Sequence, residues 1–213
     1  MKKRMNQSVA AAYLGEHSSV FLFVSILFMM GVIFGAIIVN SMSYDQKEDL
    51  FYYLSQFFSQ IATGKTEASG ELFLQSLLHN SKFIALMWVL GISIIGLPVI
   101  LILLFIKGMV VGFTVGFLVS QMGWKGFVFA FVSVLPQNVI IIPVFIGMAA
   151  ISIVFSFKMV GRQFTKKLSQ PILPVFWRYI LLLGAAIVLL ALASGIEAYL
   201  SPGFMKALAG KVN

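Results

Sequence analysis

The sequence predicts an all-α fold: a polytopic membrane helical bundle of about five spans. Three observations carry that prediction. Hydrophobic residues make up 60% of the 213-residue chain, charged residues 10%, and the mean hydropathy is +1.01. A soluble domain carries about a quarter charged residues, so this chain cannot build a water-facing shell and needs a bilayer as its solvent. Uncharged apolar runs long enough to cross a bilayer recur along the chain, and its basic residues gather in short clusters beside them. That clustering is what membrane topology requires, and it makes the net charge of +8 a poor argument for nucleic-acid binding.

The whole chain reads as one integral membrane domain. Residues 1–17, with Lys2, Lys3 and Arg4, form a cytoplasmic N-terminus, and residues 18–40 form span one. A cleaved leader would have an apolar core of roughly 7–15 residues and a small-residue cleavage site. This run is longer, and Val39-Asn40-Ser41 matches such a site poorly, so the first span is read as uncleaved. Residues 41–82 form an extracytoplasmic helical loop. Residues 83–106, between Lys82 and Lys107, form span two, with Gly96 and Pro98 expected to kink it. Residues 108–123 form a short third span or a re-entrant segment. Residues 126–157 carry no charge but are interrupted by Pro136 and Pro143, and read as a Pro-broken fourth span. A basic cytoplasmic loop (158–176), a fifth span (177–198) opened by Trp177, Arg178 and Tyr179, and an extracytoplasmic tail (199–213) complete the chain.

Orientation follows from lysine and arginine near the span ends. The N-terminal cluster and the set Lys158, Arg162, Lys166, Lys167 and Arg178 belong inside. If Lys107 and Lys158 are both inside, the chain crosses an even number of times between them. The C-terminus then lies outside with five spans or with three.

The outer loop contains an amphipathic helix. Leu50, Phe51, Leu54, Phe57, Phe58 and Ile61 recur at helical spacing, and Asp45, Glu48 and Asp49 sit in the first turns, where they suit the helix dipole. A turn near Gly64 and Gly70 leads to a second apolar stretch, which suggests a helical hairpin. Its plainest role is to lie on the outer leaflet or cap the bundle. The aromatic stripe Phe51, Tyr52, Tyr53, Phe57 and Phe58 also fits a docking surface for an extracytoplasmic partner.

Two patterns lie inside the apolar runs. Gly31 and Gly35, and Gly108, Gly112 and Gly116, are spaced four apart, which puts small residues on one helix face and lets backbones approach. Internal packing is the simpler reading and a homo-oligomer through these glycine faces the alternative. Pro136, Gln137 and Asn138 form a polar kink. Their amides can satisfy backbone groups freed by the proline, or line a crevice for an ion, lipid or partner helix. The second reading is that of a transporter or permease-like subunit, but the run holds no ionisable residue for a relay.

The motifs of enzymes are missing. There is no H-E-x-x-H, phosphate-binding loop or G-x-S-x-G, and cysteine is absent, which removes thiol chemistry and thiolate metal sites. No catalytic residue, cofactor or metal site is expected.

The order of these features resembles the family of stage II sporulation protein M. The resemblance rests on Gly31-Val32-Ile33-Phe34-Gly35-Ala36, Val39-Asn40, the outer loop with Asn80, Lys107-Gly108 and its following glycines, and Leu135-Pro136. The wider family often has Pro-His-Gly and then a Glu at the break. Here Pro136-Gln137-Asn138 stands there, with Ile141 or Ile142 in place of the acid, so no role for that His or Glu carries over. The resemblance implies a multi-pass protein on the mother-cell side of the sporulation septum. It would act there as a scaffold for stage II sporulation proteins D and P, which degrade peptidoglycan during engulfment.

Overall fold

A computed structural model describes residues 15, 17–62, 69–93, 95–164 and 172–200. Six α-helices follow in order: α1 Ser18–Ser41, α2 Tyr44–Ala62, α3 Ser69–Leu90, α4 Gly96–Ser133, α5 Leu135–Phe164 and α6 Ile172–Gly195, which runs into a π-helical turn, Ile196–Leu200. No strand occurs among the described residues. Four stretches are long and apolar enough to cross a membrane: Ser18–Ser41, Gly96–Ser133, Leu135–Met159 and Phe176–Tyr199. This is an all-α membrane bundle.

The helices pack through small residues. Between apolar helices in lipid there is no water to expel, so association rests on close van der Waals contact. A Cβ on Gly31 would strike the carbonyl oxygen of Phe105, one on Gly35 that of Met109, and one on Gly112 that of Val32. Gly108 lies on Phe28 and Gly116 on Ala36. Residue numbers rise together on both helices, so α1 and α4 run parallel, glycine face on glycine face. Both faces are therefore occupied within one chain, and an oligomer would have to use another surface.

The remaining directions follow from side-chain contacts. Ser76 meets Ser194 and Trp88 meets Tyr179, so α3 runs antiparallel to α6. Asn80, before the break between α3 and α4, meets Lys107 after it, so α3 is also antiparallel to α4. Lys107 lies over the ring of Phe145, while Ser152 further along α5 meets Tyr179 at the start of α6. Five segments thus run alongside one another in alternating directions: α1, α3, residues 96–122 of α4, α5 and α6. Between them sit Val24, Ile84, Met87, Ile100, Leu104, Phe145 and Leu190, all buried.

Several boundaries differ from the sequence reading. The run 83–106 is not one helix: α3 ends at Leu90 and α4 begins at Gly96. The chain reverses between them, and Gly96 sits so close to the carbonyl of Leu90 that a side chain would not fit. Pro98 falls in the first turn of α4, where its missing N–H has no intrahelical partner to lose, so it helps start a helix and does not kink one. Residues 108–123 are neither a separate span nor a re-entrant segment but continue α4 past Lys107. The break comes at Gly123, whose φ of 57° is left-handed. Residues 124–133 then pack back on the same helix, with Gly126 against the carbonyl of Leu118 and Phe129 and Ala130 in one cluster with Leu118. The next break is at Val134, and Pro136 lies in the first turn of α5, again a helix start. The second arm of the outer hairpin is the beginning of α3, which continues unbroken past Lys82.

The glycine contact has a direct consequence. Gly112→Ala lowers the thermal unfolding midpoint of the detergent-purified protein, at a cost of about 1–3 kcal/mol for overpacking. Gly184, with no atom near its missing Cβ, is the control, and Gly184→Ala does not lower the midpoint, because alanine is the better helix former. Equal midpoints for the two variants would remove the α1–α4 contact as a determinant of stability.

Candidate functional site: a polar network inside the apolar bundle

Lys107 is in the middle of a membrane helix. It lies roughly 17 Å along α4 from Gly96 and about 22 Å short of residue 122, at 1.5 Å per residue. A charge at that depth needs internal partners. Its ammonium donates to Asn80 Oδ1 at 2.8 Å and lies over the faces of Phe145 at 4.8 Å and Phe83 at 5.9 Å. Asn80 is buried, and its amide donates back to the carbonyl of Ser76, one turn earlier on α3, at 3.1 Å. The Ser76 hydroxyl donates to Glu197 Oε2 at 2.5 Å and is 3.1 Å from the buried Ser194 hydroxyl. Glu197 is within electrostatic reach of Lys107.

The result is a ladder of five side chains linking three helices: Lys107 on α4, Asn80 and Ser76 on α3, and Ser194 and Glu197 at the end of α6. Local structure aims each of them. Ser76 and Asn80 are four residues apart and share one face of α3. The π-helical turn at Ile196–Leu200 carries Glu197, and such turns often mark functional positions. Aromatic ring faces help hold a desolvated cation, which explains phenylalanines around an ammonium.

A second polar cluster lies towards the opposite end of the bundle. Tyr179, fully packed, donates to the carbonyl of Trp88 at 2.8 Å, which leaves Ser152 as the donor to the Tyr179 hydroxyl at 2.9 Å. Trp88 Nε1 donates to the carbonyl of Tyr179 at 3.2 Å, and the two rings stack. Phe155 stacks on the other side of Tyr179 at 4.1 Å. Gly91 makes room for this cluster, since a Cβ there would meet the Tyr179 hydroxyl and Ser152. Ile84, Met87, Phe145 and Met148 lie in the core between the two clusters.

The residues singled out in the sequence are distributed otherwise. Phe51, Tyr52 and Tyr53 are exposed on α2. Phe57 and Phe58 belong to the same helix, but their side chains lie outside the described residues. Asn138 donates to the carbonyl of Val134 at 2.7 Å, as expected of an amide beside a break. The cavity next to it is lined by apolar side chains apart from Asn138 itself. Among the described residues no group of three His, Cys, Asp or Glu could hold a metal ion.

Sequence reasoning missed the network for a definite reason. It took Lys107 as the end of a span, because charge beside an apolar run marks a boundary in most membrane proteins. The available signal was the glycine pattern, which starts at Gly108 directly after Lys107 and continues at four-residue spacing to Gly116.

The family model of stage II sporulation protein M matches residues 24–202. The chain belongs to the stage II sporulation protein M family. The match runs from Val24, within α1, through the π-helical turn, and so includes the α1–α4 glycine contact and every member of the polar ladder. Neither a curated protein nor a solved structure matches this chain. Membership makes this a sporulation-related membrane protein, in a family not known for enzymes.

Lys107 and Glu197 are expected to act as a coupled pair. Lys107→Met and Glu197→Gln each destabilise the purified protein by about 1.5–3 kcal/mol, the range for hydrogen bonds to charged groups. The double variant loses less than the sum by at least about 0.5 kcal/mol, as groups in one network do. Strict additivity in thermal unfolding would show that the ladder does not connect them.

Proposed function

We propose that this chain is a non-enzymatic scaffold of the sporulation engulfment machinery. In this reading it anchors peptidoglycan-degrading partners, stage II sporulation proteins D and P, at the septal membrane on the mother-cell side. Septum thinning and migration of the engulfing membrane would depend on that anchoring. Family membership supports the sporulation role, and the exposed aromatic residues of α2 carry the docking role.

The composition of α2 favours a protein partner over a lipid surface. Helices that lie on membranes carry lysine and arginine on their polar face. This helix has Asp45, Glu48 and Asp49 against the single base Lys47. Anionic headgroups would repel it, whereas a partner with an apolar patch and a basic rim would complement it. Phe51, Tyr52 and Tyr53 supply large area at low entropic cost, as interface anchors do.

Five crossings with the N-terminus inside fit the alternating helix directions. The α1–α2 junction, Gly123 and the π-helical turn then share the outer face, where the partners' glycan chemistry takes place. The scaffold reading is preferred to the permease-like alternative at the Pro136 break because Asn138 bonds within its own helix end and the neighbouring cavity is apolar.

Two experiments test this reading. In the first, replacing Phe51, Tyr52 and Tyr53 together with Ala abolishes co-purification of proteins D and P from solubilised sporulating membranes while leaving the level of this protein unchanged. Full retention of both partners would reject α2 as the docking surface. In the second, single cysteines are placed in this cysteine-free chain. Trp124→Cys reacts with an impermeant thiol reagent in intact cells, and Ser93→Cys reacts only after permeabilisation. The reverse pattern would invert the proposed orientation.

A further inference from the structure

The reversal at Gly123 leaves a hole in the bundle. Residues 124–133 leave α4 at a left-handed glycine and return against Leu118, and α5 starts only after Val134. Between these pieces lies a cavity of about 480 Å³ lined by residues of α4 and α5, among them Val111, Val115, Ala130, Val134 and Ile142. Part of its rim, Phe127, Phe131 and Val139, is exposed on the flank of two helices apolar enough to cross the membrane. The cavity therefore opens sideways, towards hydrocarbon.

Its chemistry selects the occupant. A water molecule held inside a protein needs 2–4 polar partners, as a rough rule. The one polar side chain in this lining, Asn138, already donates its amide to the Val134 carbonyl. A helix has a diameter of about 10 Å and hence a cross-section of roughly 80 Å², so a 480 Å³ cavity would accept about one turn of it. A flexible alkyl chain fits both the volume and the apolar lining. It would restore the contacts that an empty cavity forfeits.

The end of the cavity near the Gly123 turn has the markings of a headgroup position. Trp124 is 76% exposed and stacks on Phe127, which in turn lies 6.4 Å from Phe131. This aromatic ladder leads from the turn down to the rim. Tryptophan favours the boundary between headgroups and hydrocarbon. Lys125, next along the chain, is exposed at the same turn and offers a cation to a phosphate.

The geometry points to a binding site for one anionic phospholipid, its acyl chain in the cavity between α4 and α5 and its phosphate near Trp124 and Lys125. The site is separate from the polar ladder and from the aromatic face of α2. It requires membrane insertion but not the scaffold role.

The test is native mass spectrometry of the full-length protein, released from detergent with equal amounts of dioleoyl phosphatidylglycerol and dioleoyl phosphatidylcholine. The wild type retains one phosphatidylglycerol in preference to phosphatidylcholine. Ala130→Phe and Val139→Trp fill the cavity from its inner wall and its rim, and each lowers lipid retention by about tenfold, which is 1.4 kcal/mol. Lys125→Ala keeps a lipid but loses the headgroup preference. If Ala130→Phe fails to fold, Val139→Trp, at an exposed position, still reports. Undiminished retention in the folded filled variants would overturn the assignment. So would a wild-type dimer that the filled variants lose, since the cavity would then belong to a second copy of the chain.

Discussion

Backbone-to-backbone contact between α1 and α4 is the constraint on which the rest of this bundle rests. In a bilayer, apolar helices gain nothing by leaving lipid for one another unless they pack more closely than lipid does. Glycines at 31, 35, 108 and 112 allow an approach that no side chain would permit, against the carbonyls of the facing helix. Because α1 and α4 run parallel, the chain between them must travel out and back, through α2 and α3. That requirement brings α3 beside α4 and presents Ser76 and Asn80 to the interior.

The polar ladder follows from that placement. Lys107 tolerates mid-membrane depth because α3 brings an amide within hydrogen-bond distance and α5 brings the ring of Phe145 beneath the ammonium. The end of α6 joins through Ser194 and Glu197. At the opposite end, Tyr179 ties α6 to α3 and α5 through Trp88 and Ser152. Both clusters hold α3 to α6, the first adding α4 and the second α5, with an apolar core between them. A bundle tied in this way suits the docking role proposed for α2.

The function proposed for this family member separates into parts with different physical roles. Glycine contacts and polar clusters hold the platform together. In that proposal α2 is the docking element, with exposed aromatics and an acidic first turn. The lateral cavity near Gly123 faces hydrocarbon, where a lipid could complete the packing that the chain reversal leaves open.

Much of this was legible in the sequence. Apolar bulk and scarce charge determined the membrane class, the amphipathic period from Leu50 to Ile61 marked α2, and the spacing of five glycines marked a close helix face. These are local properties, set by composition and by residues three or four apart. The partner of each glycine face, the depth of Lys107, its link to Glu197 and the apolar character of the cavity beside Asn138 were decided by tertiary structure alone. Lys107 and Glu197 are far apart along the chain, and a lysine beside an apolar run looks the same whether it ends a span or sits within one. Only the folding of α3 back onto α4, with Gly96 too close to the Leu90 carbonyl for a side chain, supplies the asparagine that lets the charge remain inside.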